Sequence, residues 1–428
     1  MPSEADPLLP PQLPADDWVE EGVPASHPAS RSGVGQTVTE ALYHIVCIIA
    51  GSGVLQLPFS LNQAGWVGLF FVVFAGIANH YSGILLVKSL YYNGSVRLKS
   101  YPHVGYAAFG SVGKRLVELL NSVMLLGVTC VYLILAGMNL ELLLGIYSTK
   151  TWIILCGLIV GIPFLYFRTL KEIAIFSAFG VFATILVIGV VLWHSVGDYP
   201  VYEGRVTHKV FDFSMLPSAL GSISFSYSGN YVYPEVEASM REPEKFPRVL
   251  TLAMSVITAM YIVTGAVGYL TYGNLTVSPI LNNLPKGFLS TFAIAVISAH
   301  VLLACPVMLT TFALETERHL KVDELELSSS QKSTRIALIR GGILAGVTVV
   351  SIIIPFFADF MTLLGAVANT FLIFVFPILF DFRLYGFWNR SWGEIIFGIS
   401  IILLGVFGGT VGGFEAVKAL WNDFINSR

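Results

Sequence analysis

The chain has 428 residues, of which 55% are hydrophobic and only 12% charged, with a formal net charge of −3. That charged share is about half the roughly 25% usual in soluble chains, too little to give polar surfaces to several soluble domains; a bilayer demands no such surface. The near-neutral balance excludes a nucleic-acid-binding field. The four cysteines stand far apart in apolar runs, without metal spacing or a disulfide framework.

Residues 1–36 hold seven prolines, six acidic residues and one basic residue. Such a segment cannot bury a core and reads as a disordered cytosolic tail. Within it, Glu4 followed by Leu8 and Leu9 resembles an acidic dileucine sorting signal, which adaptors read on the cytosolic side of vacuolar and lysosomal membranes. A chance match in a short tail is the other reading.

Residues 41–87 contain no Asp, Glu, Lys or Arg, which is long enough for two spanning helices with a turn at 62–65. Nine further uncharged runs follow, at 119–140, 152–167, 173–197, 213–234, 249–285, 287–314, 341–358, 360–380 and 395–414. Backbone polar groups in hydrocarbon must be satisfied internally, so these runs predict helices. None alternates polar and apolar residues as a barrel strand would. With the tail on the inner side, eighteen of the 24 basic residues fall in inner segments. This predicts a cytosolic N-terminus and a C-terminus in a lumen or outside. Of three Asn-x-Ser/Thr sequons, Asn274 falls in an outer loop and Asn93 and Asn389 in inner ones, so only Asn274 is expected to accept a glycan.

The first span reads Gly51-Ser-Gly-Val-Leu-Gln-Leu-Pro58 and the sixth Phe225-Ser-Tyr-Ser-Gly-Asn-Tyr-Val-Tyr-Pro234. Glycine weakens a helix and proline removes one of its hydrogen bonds. Gly53 precedes Pro58 by five residues and Gly229 precedes Pro234 by five, an offset of 176 that also superposes spans one to five on spans six to ten. Five is odd, so the second copy must be inverted. The expected fold is an all-α integral membrane protein of eleven transmembrane helices: a five-plus-five inverted repeat with helices 1 and 6 broken, plus one extra C-terminal helix. The transporter domain is expected at 37–415, with repeat one about 37–195, repeat two about 212–384 and helix eleven about 391–415, leaving a short outer tail at 416–428. Paired interruptions in corresponding positions point to a binding site at mid-membrane.

Where a helix unwinds, amide N–H groups lose their partners and the next half-helix offers a positive dipole end. Such ends suit a carboxylate, and the freed carbonyls suit an ammonium. No charged residue lies in either break. A zwitterion, such as an amino acid, fits a site of this kind better than a strongly ionic substrate does. The candidate binding residues are Gly51, Ser52, Gly53, Val54, Ser226, Tyr227, Ser228, Gly229 and Asn230, with Tyr132 of the third span as a hydrogen-bond donor or a core residue.

Gly51–Pro58 with Ala64-Gly65-Trp66, Tyr132–Asn139, and Phe225–Pro234 followed by Met240-Arg-Glu-Pro-Glu-Lys-Phe246 together resemble the amino acid/auxin permease family over about 37–415. The resemblance implies eleven helices, the inverted-repeat fold and amino-acid transport, often proton-driven. With the dileucine-like tail, the nearest group looks like the vacuolar amino-acid transporters of fungi. Asn230 departs from the pattern, standing where many members have histidine.

Ionisable groups inside a membrane are functional suspects. His300 in the eighth span is the deepest, and the fold implied by the resemblance sets it opposite the first helix; it is either a proton carrier or a neutral core histidine. Glu235, a second proton-coupling candidate, and Glu237 follow Pro234; with Arg241 and Lys245 nearby they form a salt-bridged gate or interfacial anchors. No catalytic constellation, metal-ligand set or cofactor motif occurs, so the chain is not expected to be an enzyme. The expected function is secondary active, proton-coupled transport of neutral amino acids by rocking a helix bundle against a scaffold. The alternative is an amino-acid sensor that signals through a cytosolic partner without flux. The expected partners are the amino-acid substrate, protons, lipid and a sorting adaptor. The expected location is the vacuolar or lysosomal membrane, with the plasma membrane as alternative. Symport and antiport stay open.

Overall fold

The computed structural model describes residues 23–24, 35–94, 96–166, 173–320, 322 and 329–426. Glu4, Leu8 and Leu9 lie outside these residues. The chain enters its first helix through a capping box: the Thr37 hydroxyl accepts from Glu40 N at 3.2 Å, and the Glu40 carboxylate accepts from Thr37 N at 2.7 Å. Helix α1 (Val38–Ala50) stops at Gly51; a 3-10 turn, Ser52–Gln56, leads into α2 (Leu57–Ala64). Pro58 sits in the first turn of α2, where its missing N–H leaves no helical bond unmade.

Then come α3 (Gly68–Leu90), α4 (Tyr101–Leu144), α5 (Thr149–Tyr166) and α6 (Ile173–Tyr202). Phe109 and Gly110 leave helical geometry, so α4 is a short opening segment followed by a long one. The second half opens on another interruption: α7 (Leu216–Ser226), a 3-10 turn at Asn230–Val232, and α8 (Tyr233–Ser239) with Pro234 in its first turn. It continues through α9 (Phe246–Tyr272), α10 (Phe288–His319), α11 (Ser329–Ile353) and the pair α12 (Phe357–Leu364) and α13 (Phe376–Tyr385), joined through two π-helical turns. Each half is thus a broken pair followed by four further helical segments. The last helix, α14 (Trp392–Asn426), continues through residues 416–426, where the sequence suggests a separate tail. The only strands among the described residues are β1 (Val23–Pro24) and β2 (Val96–Arg97), paired antiparallel.

Among the described residues, nine helices are long and apolar enough to cross a membrane, and Thr149–Leu165 is a shorter apolar helix. The broken α7/α8 pair is the segment counted from sequence as the sixth span; neither half is long enough to cross alone. The α1–α2 unit is the most enclosed, with 78% of its apolar window buried, whereas only 17% of the α11 window is buried. The broken helix therefore runs through the middle of the bundle and α11 lies on its periphery.

On the face opposite the N-terminal end, residues 206–212 are hydrogen-bonded to the segment after α2 and to α9. Trp66 N and Val67 N donate to Lys209 O and Val210 O, both at 3.1 Å, while Lys209 N donates to the Tyr269 hydroxyl at 2.8 Å. This segment ties α2 to α9. Gly65 has φ +78, and a Cβ there would lie 2.7 Å from Lys209 O, so both conformation and space require glycine. The Asp212 carboxylate accepts from Lys209 Nζ at 2.7 Å and Ser214 Oγ at 2.6 Å; these bonds hold its pKa well below the usual carboxylate range. Asn274, in the turn after α9, is exposed on this face, and its side-chain carbonyl accepts from Thr207 N at 2.9 Å.

Candidate functional site

The two interruptions meet. A Cβ on Gly53 would lie 2.7 Å from Ser226 Cα, and one on Gly229 would lie 2.7 Å from Ile49 Cγ1. The Ser226 hydroxyl stands 3.0 Å from Gly53 O, joining the breaks directly. Ending α1 at Gly51 and α7 at Ser226 strips Ile49 O, Ser226 O and Tyr227 O of their helical donors. The fold replaces those donors with side chains from neighbouring helices. The Tyr261 hydroxyl of α9 lies 2.8 Å from Ile49 O and 2.5 Å from Ser226 O, so its single proton is shared between the two breaks. Asn79 Nδ2 of α3 donates to Tyr227 O at 2.8 Å.

Beside the breaks is a narrow cavity lined by Ile48, Ile49, Ser52, Gly53, Val128, Tyr132, Phe225, Ser228 and Tyr231. No charged side chain lines it. Of the residues singled out from sequence, Ser52, Gly53, Tyr132 and Ser228 reach the cavity. Gly51 adjoins it, with a Cβ there 3.3 Å from the Tyr132 hydroxyl. Val54 is buried away from the cavity. Tyr227 turns its hydroxyl to Val72 O (2.9 Å) and Thr258 (3.1 Å), and Asn230 Nδ2 donates to Ser82 Oγ at 3.4 Å, so both face α3 and α9 rather than the cavity. Ser226 and Gly229 hold the breaks together instead of lining the cavity.

Ser228 Oγ and His300 Nε2 are buried and have no hydrogen-bond partner. A Cβ on Gly51 would lie 3.8 Å from His300 Nε2, so this imidazole faces the first break across from Tyr132. Three other histidines in the helices are partnered: His44 with Gln36 at 3.3 Å, His80 with Thr251 at 2.9 Å and His194 with Ser290 at 3.0 Å.

Ile48 and Tyr231 also line a second, larger cavity of about 340 Å³, which opens on the N-terminal face. The two side chains form a thin septum between the spaces. On this face Glu237 pairs with Arg97 and not with Arg241 or Lys245. Arg97 Nε donates to Glu237 at 2.9 Å, the Tyr91 hydroxyl donates to Glu237 as well, and Arg97 Nη2 also donates to Pro234 O at 2.6 Å. Arg241 instead donates to Gly35 O at 2.8 Å, and Lys245 pairs with Glu242 at 2.5 Å. Sequence proximity missed Arg97 because its segment lies 140 residues away. It also missed Tyr261, Asn79 and Tyr231, since nothing local marks which helical face a tyrosine or asparagine occupies.

The matching family model, "Transmembrane amino acid transporter protein", spans residues 35–417. Amino acid transporter AVT1E of Arabidopsis thaliana is 30% identical over 403 residues, covering 90% of this chain and 73% of that one. AVT1D of the same plant is 29% identical, covering 89% and 69%. Among solved structures, a manganese transporter of Eremococcus coleocola superposes with a TM-score of 0.58 at 12% identity over 93% of this chain and 92% of that one. MhsT in complex with L-phenylalanine superposes with a TM-score of 0.51 at 13% identity over 89% and 97%. At such identities these structures speak for the fold alone. Together with the match across nearly the whole chain, this places the protein in the transmembrane amino acid transporter family.

Proposed function

We propose that the chain is a proton-coupled secondary active transporter of neutral amino acids, held in the vacuolar membrane with its N-terminus cytosolic. The observation that carries this reading is the uncharged cavity where the two breaks meet. With no charged side chain on its wall, a substrate's carboxylate and ammonium must be met by helix ends and hydroxyls. Ile48, Val128 and Phe225 offer the substrate side chain an apolar wall.

Gly51, Ser52, Gly53, Tyr132 and Ser228 contact the substrate in this reading, while Ser226 and Gly229 keep the breaks in register. His300 carries the coupled proton: its Nε2 is buried, partnerless and turned to the first break. Imidazole is also the side chain whose ordinary pKa lies nearest physiological pH. Glu235 is the second proton station, beyond the Tyr231 septum. The two broken helices, with α3 and α9, rock against a scaffold that includes α4 and α10. Glu4, Leu8 and Leu9 direct the protein to its membrane.

The test is flux of labelled amino acids into proteoliposomes under a pH gradient of either sign, across a panel of neutral, acidic and basic substrates. Neutral amino acids should move, and one gradient sign should accelerate them. In His300→Gln, counterflow should persist while acceleration by the pH gradient disappears. Absence of flux under both gradients would favour the sensor reading.

A further inference from the structure

The larger cavity on the N-terminal face contains charges of which the mechanism above uses only Glu235. Elsewhere on this face, opposite charges close on each other: Arg97–Glu237 at 2.5 Å, Arg340–Glu317 at 2.9 Å and Arg390–Asp381 at 2.5 Å. Such closure is expected, because a charge surrounded by protein is costly unless paired. Glu235 and Arg318 are exposed and Glu315 is half-buried, so their charges stay open to the cavity instead of closing on a partner. All three line the larger cavity, and among the described residues none forms a side-chain hydrogen bond or ion pair, although Arg318 and Glu315 lie within electrostatic reach of Glu235.

Their placement is specific. Glu235 is exposed while its neighbours Pro234 and Val236 are buried, so its side chain projects into the cavity one helical turn beyond Tyr231. Glu315 lies on α10 opposite Glu118, with carboxylate oxygens and the His319 ring nitrogen all within 4.8 Å of one another. Lys114 stands 3.8 Å from Glu118 and offsets that charge, while Arg318 and His319 act on Glu315 electrostatically without closing on it. Two carboxylates and one guanidinium thus face a common space without closing on each other. An ammonium and a carboxylate on one small molecule would complete both halves.

We infer that this vestibule is a second, weaker binding site for a zwitterionic amino acid. Glu235 and Glu315 receive the ammonium, Arg318 receives the carboxylate, and the Ile48–Tyr231 septum separates this site from the one at the helix breaks. The inference rests on the transport reading and adds a second site to it. A substrate released past Tyr231 would pause here before reaching bulk water, and a high concentration on this face would fill the station and oppose release.

Equilibrium binding of radiolabelled L-alanine, L-leucine and L-glutamine to the full-length protein in detergent tests this. Wild type should show two classes of site, the second at least about tenfold weaker. Gly53→Leu should remove the tight class and keep the weak one. Arg318→Gln and Glu315→Gln should each remove the weak class and keep the tight one, and Arg318→Lys should restore part of it. A single class in wild type, or a weak class unchanged in both charge variants, would overturn the second site while leaving the transport reading intact. No binding of any of the three to wild type would reject the transport reading itself, and this site with it.

Discussion

At Gly53, a hydrogen atom in place of a side chain allows two chain segments to touch. The Cβ of any other residue would stand 2.7 Å from Ser226 Cα, a contact that only a backbone shift relieves. Gly53→Ala should therefore lower uptake at least about tenfold, and Gly53→Leu should abolish it, while both proteins stay monodisperse on size exclusion. Full uptake by Gly53→Leu would reject the site. Tyr261 is the complementary residue, adding a donor where glycine removes bulk. Tyr261→Phe leaves Ile49 O and Ser226 O without it, and a buried unsatisfied polar group costs about 1–3 kcal/mol. The variant should melt several degrees lower and transport poorly. The two residues differ in how far the sequence discloses them. Gly53 and Pro58 announce a break because their backbone chemistry is local. Tyr261 does not, because its acceptors lie 212 and 35 residues away and nothing nearby orients its hydroxyl.

Between elements, the short α8 is secured by its charge pair more than by its length. Glu237 is 1% exposed and meets Arg97 across from β2. Arg97→Ala would leave a buried carboxylate with no cation and only the Tyr91 hydroxyl as partner, at a cost of about 3–5 kcal/mol. A chemical-denaturation midpoint should fall accordingly, and Arg97→Met combined with Glu237→Leu should recover most of the loss. The opposite face has its own tie in Asp212. Its folded pKa is depressed, so its stabilisation is present above the ordinary carboxylate value of about 3.9 and is lost as pH falls through the folded value below that. Hydrogen exchange of the Trp66 and Val67 amides, corrected for intrinsic rate, should stay flat from neutral pH to about 4.5. Asp212→Asn should show weaker protection throughout that range. A wild-type loss of protection between pH 7 and 5 would contradict the assignment.

For the whole molecule, the apolar runs, the repeat and the two interruptions could all be read from residue types, because hydrocarbon forces helices and glycine–proline spacing marks where they fail. The helices are apolar on nearly every face, however, since lipid and protein neighbours make similar demands. Facing was therefore hidden: Tyr227 and Asn230 carry suitable groups for a site yet turn toward α3 and α9, while Val128 and Tyr231 reach the cavity unannounced. The bias of basic residues toward one face gives an orientation that glycosylation mapping checks. Asn274 alone of the three sequons should be modified in a microsomal assay, and modification of Asn93 would reverse the topology.

The Tyr261 hydroxyl touches both unwound segments at once. In a rocking motion it would make α1, α7 and α9 a single mechanical body, unable to separate at the breaks without losing that contact. The part of the pocket built from the breaks would then keep its shape through the cycle, and only its distance from the walls on α4 and α10 would change. The order in which substrates are preferred should consequently be the same from either side of the membrane, even where their affinities are not.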